Sequence, residues 1–174
     1  QSPISIPLSN GNLNQVKWFL ACGSDATELN SAPSKLVEGP LFAGKYYDEQ
    51  LVELLQTYIK YGLKLTDRDA DGQTIADMIK TLNDENTDFG KFILTETEKC
   101  MKANDLKQYL ASMDYLRENR FEEEDNNYKT NVLLAYNLIK DKKVPAETVD
   151  ELGHVIFYYL KNVEDVEMFV ALAG

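Results

Sequence analysis

The sequence predicts an all-α fold: stacked antiparallel helix pairs forming an irregular solenoid. Three observations carry that expectation. Apolar residues recur at helical spacing through most of the chain. No run of strict apolar–polar alternation is long enough for a strand. One short pattern also recurs: an apolar residue, two variable ones, an aromatic and an aliphatic. It begins at Val16, Leu55, Phe89, Leu106 and Val166. Its i, i+3, i+4 spacing puts the three apolar positions on one helix face.

Taken in order, Val16, Phe19 and Leu20 mark the first core-facing stripe, and Trp18 beside them reads as a core residue. Leu51, Leu54, Leu55 and Tyr58 mark the next. Further helical stripes lie at Phe89–Leu94, Leu106–Leu110, Val132–Ile139, Val155–Leu160 and Val166–Val170. Turn-forming residues fall between them, at Gly23-Ser24-Asp25, Pro33, Gly39-Pro40, Asp71-Gly72, Asn83-Asp84 and Val144-Pro145. The acidic run Phe121–Asn127 reads as an exposed loop. Residues 1–120 are therefore expected to form helical repeats, 121–127 a loop, and 128–174 further helix pairs of the same domain.

The 174 residues carry a net charge of −11. Such a surface repels nucleic acid phosphates and anionic lipid headgroups, so a basic protein surface or a metal cation is the better electrostatic match. No apolar run approaches the ~20 residues a membrane-spanning helix needs. The N-terminus lacks the features of a signal peptide, and its starting Gln1 points to processing or truncation. The two cysteines, Cys22 and Cys100, are predicted to be buried free thiols. A reducing, cytoplasmic location and a monomeric state follow as expectations.

Gly11–Asp25 resembles the second helix and exit turn of an ankyrin repeat, and Tyr61–Thr74 resembles the segment between two such repeats. Gly62, Asp69, Asp71, Gly72 and Thr74 fall in that family's register. Physically, Gly23 and Gly62 suit the left-handed ends of helices, Asp71-Gly72 a tight turn, and Thr74 a helix cap. Gly39-Pro40-Leu41 would open the preceding helix. The glycines Gly23 and Gly62 stand 39 positions apart, against about 33 for the family. The resemblance is best over 11–79, weakens over 80–120, and returns in part at 149–174.

The resemblance implies a protein-binding module whose partner touches turn tips and the exposed side of the first helices. Mapped onto this chain, it selects Glu28, Leu29 and Asn30 in one finger, and Asp67, Arg68 and Ala70 in the next. Lys45, Tyr46 and Asp77 would lie on the helices behind.

Other chemistries find less support in the residues. Asp67, Asp69, Asp71 and Gly72 imitate the start of a calcium loop, but Met78 stands where the closing carboxylate belongs. His154 is the only histidine, so neither a zinc site nor a cofactor is expected, and no phosphate-binding glycine loop or GxSxG nucleophile turn occurs. No catalytic residue is assigned. In each of the pairs Tyr46-Tyr47 and Tyr158-Tyr159 only one ring can face the core. The other serves either an interface or merely the core's edge. The expected function is binding of a partner protein. The alternative is a regulatory or accessory helical domain of a larger protein.

Overall fold

The computed structural model describes residues 2–31, 46–82 and 85–173, with backbone only at Asn30, Ser31 and Ala173. Pro33, Gly39-Pro40-Leu41, Lys45 and Asn83-Asp84 lie outside the described residues. The regular secondary structure of the described residues is helical, with no strand among them. The chain divides into two compact units, Gln1–Cys100 and Met101–Gly174.

The first unit begins with α1 (Ser5–Ser9), α2 (Leu13–Ala21), α3 (Glu28–Ser31) and α4 (Asp48–Lys60). It continues through α5 (Ile75–Thr81) into α6 (Asp88–Glu118). Asn12 starts α2 by accepting a hydrogen bond from the Gln15 N–H at 3.1 Å. Val16 and Leu20 then face inward, and α2 packs against α1 and α4. Leu54, Leu55 and Tyr58 form the buried stripe of α4. The Asp48 carboxylate accepts the Asp88 and Phe89 N–H groups at 2.7 and 3.0 Å, satisfying donors that the start of α6 would otherwise leave unpaired.

The second unit holds the rest of α6, then α7 (Asn126–Lys140), a single 3₁₀ turn (Ile156–Tyr159) and α8 (Val163–Ala173). Asp125 caps α7 by accepting the Tyr128 N–H at 2.8 Å. Tyr109, Met113 and Leu116 of α6 pack with Val132, Ala135 and Ile139 of α7, and with Ile156 and Phe169. The acidic run between α6 and α7 is exposed, as its composition predicts.

Several expectations need correction. The Phe89–Leu94 and Leu106–Leu110 stripes lie on one continuous helix. Val155–Leu160 supplies only the 3₁₀ turn. Trp18 is 61% exposed. Val16 and Leu20 face the core four residues apart, and Trp18, two from each, points the other way, its ring edge-on to Phe19. Cys22 and Cys100 are exposed, not buried. Cys22 is two positions beyond Leu20 and so, like Trp18, leaves the core-facing stripe. No described helix is long and apolar enough to cross a membrane.

Candidate functional site

The Asp69 turn is pinned by its own side chain. Asp69 Oδ1 accepts the Asp71 and Gln73 N–H groups, each at 2.9 Å. The Asp69 N–H donates to Gln73 O at 2.9 Å, and the Gly72 N–H donates to Asp69 O at 3.0 Å. Gly72 takes a φ of +75°, open to glycine at little cost. Thr74 then caps α5, as its register predicts. Its hydroxyl accepts the Asp77 N–H at 3.2 Å, while Asp77 Oδ2 accepts the Thr74 N–H at 3.0 Å.

These contacts sort the expected binding residues. Asp67, Arg68 and Ala70 are exposed around the turn. Arg68 Nη1 donates to Gly72 O at 2.8 Å and lies 3.4 Å from Asp77 Oδ2. Asp77 is thus a capping group, and the Thr74 backbone N–H, first among its partners, holds its carboxyl below the usual carboxylate range. Glu28 is exposed, but Leu29 is buried at 4% exposure. The family register put Leu29 on a finger, whereas its side chain joins the Val16–Leu20 core. Tyr46 is buried as well, donating its hydroxyl to Leu8 O at 2.9 Å. Of that adjacent pair, Tyr47 is the exposed ring, at 81%. The side chain of Asn30, like Lys45, lies outside what is described.

The second unit repeats the Asp69 turn bond for bond at 150–154, which the sequence reading missed. Asp150 Oδ1 accepts the Leu152 and His154 N–H groups, each at 3.0 Å. The Asp150 N–H donates to His154 O at 3.0 Å, and the Gly153 N–H donates to Asp150 O at 3.0 Å. Gly153 has a φ of +77°. Six residues after each aspartate comes a fully buried isoleucine, Ile75 or Ile156. The shared D-x-x-G spacing was the available signal.

The helix exits upstream match too. Gly62 N–H donates to Ile59 O and Leu63 N–H to Tyr58 O. Likewise Lys142 N–H donates to Ile139 O and Lys143 N–H to Leu138 O. Both are the paired bonds that close a helix through a left-handed residue. In the second unit that residue is Lys142, at φ +58°, so no glycine marks it.

The second turn is braced further. The Asp150 side chain is 1% exposed. Its Oδ2 accepts the Tyr159 hydroxyl and lies 3.4 Å from Arg117 Nη1. Burial pushes the Asp150 carboxyl up. The Tyr159 hydroxyl, the His154 and Leu152 N–H groups and Arg117 outweigh it and hold the carboxyl below its usual range. Tyr159 is pushed up to about 12 by burial and by its bond to Asp150. With the Tyr159 proton committed to Asp150, the His154 Nδ1, 3.0 Å away, donates to Tyr159 Oη. Outside this brace Val149 and Leu152 are 48% and 59% exposed, flanked by exposed Glu147 and Glu151.

Beside the turn is an aromatic surface. Phe121 is 86% and Tyr158 58% exposed. The Arg120 guanidinium lies 4.5 Å from the Phe121 ring and 5.9 Å from the Tyr158 ring, and His154 stacks on Tyr158 at 3.8 Å. Arg120, Tyr158, Leu160 and Lys161 line a cleft of about 510 Å³. A second, of about 570 Å³, is lined by Tyr115, Glu122, Glu123, Asp125, Tyr128 and Lys161. Lys161 Nζ donates to Asn119 O at 2.8 Å and to Glu122 O, and lies 5.0 Å over the Tyr128 ring.

Among the described residues no group of three or more His, Cys, Asp or Glu is placed to hold a metal ion. Asp69 instead spends its carboxylate on the turn's own N–H groups. No family profile, curated protein or solved structure matches the chain.

Proposed function

We propose that this chain is a protein-interaction module that presents pinned turn tips, and the helix surface beside them, to a partner protein with a basic surface. The observation that supports this reading is the twice-built turn. Each copy spends a carboxylate on fixing its backbone and leaves its tip side chains in solvent. A backbone ordered before contact loses little entropy on binding, so tip contacts convert efficiently into affinity. The tips are Asp67, Arg68 and Ala70 in the first unit, and Val149, Glu151 and Leu152 in the second. An ankyrin-like stack of helix pairs is part of the proposal, since in both units a helix closing through a left-handed residue feeds the same turn. Catalysis is not part of it.

The test is capture from lysate on the immobilised chain, comparing wild type with Leu152→Asp and Ala70→Arg. Both positions are exposed, so the helical content and melting temperature of the variants should match wild type. A protein retained by wild type and lost by the folded tip variants supports the reading. Equal retention by all three contradicts it.

A further inference from the structure

Resting on the interaction reading, we propose that Phe121 and Tyr158 form a docking surface for an arginine-bearing segment of the partner. A phenyl ring 86% exposed and a tyrosine 58% exposed, joined through Arg120, are unfavourable to leave in water, and aromatic side chains are enriched at protein interfaces. The chain itself demonstrates what these rings accept. Arg120 places its guanidinium 4.5 Å from one centroid and 5.9 Å from the other, and the exposure of Phe121 leaves ring surface for a second cation.

Charge selects the partner's sign. Residues 118–125 carry Glu118, Glu122, Glu123, Glu124 and Asp125 against Arg120 alone. Glu122, Glu123 and Asp125 line the neighbouring cleft, large enough for a long side chain. The cation lining that cleft, Lys161, is held in place by the carbonyls of Asn119 and Glu122, and the three carboxylates outnumber it. The platform is also stiff at one end, because His154 stacks on Tyr158 and is itself held by Tyr159. Arginine fits better than lysine, since a planar guanidinium stacks on a ring face while forking towards a carboxylate.

The test titrates the full chain with three short labelled peptides of equal length, rich in arginine, lysine or glutamate, following fluorescence anisotropy. The arginine peptide should bind several-fold more tightly than the lysine peptide, and the glutamate peptide should not bind. Phe121→Ala and Tyr158→Leu should each weaken arginine-peptide binding about three- to fivefold, and Phe121→Trp should tighten it. Asn104→Ala, at an exposed position of α6 outside both surfaces, should leave it unchanged, and because this readout uses peptides and not lysate capture, failure of the turn tips and failure of this surface are read separately. Equal binding of the arginine and lysine peptides, indifference to Phe121→Ala in a protein of unchanged helicity, or preference for the glutamate peptide would each overturn the proposal.

Discussion

The Tyr159 hydroxyl donates its hydrogen bond to the Asp150 carboxylate, and that bond ties an exposed turn to the core of its unit. Asp150 Oδ1 organises the turn's own backbone, while Oδ2 faces Tyr159 and Arg117. Asp69 builds the same turn with its carboxylate half-buried. The two copies therefore separate what the turn itself requires from what the second unit adds.

Replacing Asp150 by Asn should cost about 2–3 kcal/mol of stability, because a charged acceptor of several buried hydrogen bonds is lost. Asp69→Asn, at the more exposed copy, should cost about 1 kcal/mol. Chemical denaturation of both variants checks this, and equal losses would mean the Tyr159 brace adds nothing. The pH dependence follows from the same group. The Asp150 carboxyl is held below its unfolded value of 3.8. Its contribution is therefore complete above that pH and lost as pH falls through the lower folded value. Wild type should lose stability below about pH 4 more steeply than Asp150→Asn.

Alkaline pH acts through tyrosine. Burial, helped at Tyr128 and Tyr159 by nearby carboxylates, pushes Tyr46, Tyr109, Tyr128 and Tyr159 up to about 12, and Tyr58 higher still. Their folded values lie above the unfolded value of 10.0, so this stability is whole below pH 10 and lost as pH rises towards 12. Tyrosinate absorbance should rise in two phases. The second should coincide with loss of the helical circular dichroism signal. A single phase finishing while the helices remain intact would contradict the burial of these rings.

Lys142 ends α7 in the left-handed region at φ +58°, where Gly62 ends α4 at φ +111°. Lys142→Gly removes a Cβ from a conformation that disfavours it and should stabilise the protein by about 1 kcal/mol. A lower melting temperature for this variant would show that the lysine side chain does something the backbone geometry does not.

The Tyr109 hydroxyl is fully buried without a hydrogen-bond partner among the described residues. Tyr109→Phe keeps the ring and removes the stranded group, so stability should hold or rise by up to about 1 kcal/mol. A loss of comparable size in thermal unfolding would reveal a partner for that oxygen.

Much of the first turn was legible because its geometry demands particular residue types. Gly62, Gly72 and Thr74 each occupy a slot that few side chains fill well, and each is found doing what its type suggests. The second turn was harder to read for the converse reason. Lys142 stands where a glycine would have flagged the helix exit, and a 3₁₀ turn follows where Thr74 starts a helix. Only Asp150 and Gly153 survive as a signature. Family register also misplaced Leu29 and Tyr46, because it carries no information about which side chains this chain's own core needs. The sequence neighbours of Trp18 suggest a core residue, but its angle around the helix turns it to solvent.

The most direct measurement is site-specific photo-crosslinking from the turn tip. A benzophenone side chain placed at Leu152, and in a control at the exposed Glu98 of α6, would be irradiated in lysate. Binding through the turn predicts one discrete protein adduct from position 152, suppressed by Asp150→Asn, and none from position 98. The same adducts from both positions, or none from 152, would contradict a partner that docks on the pinned turn.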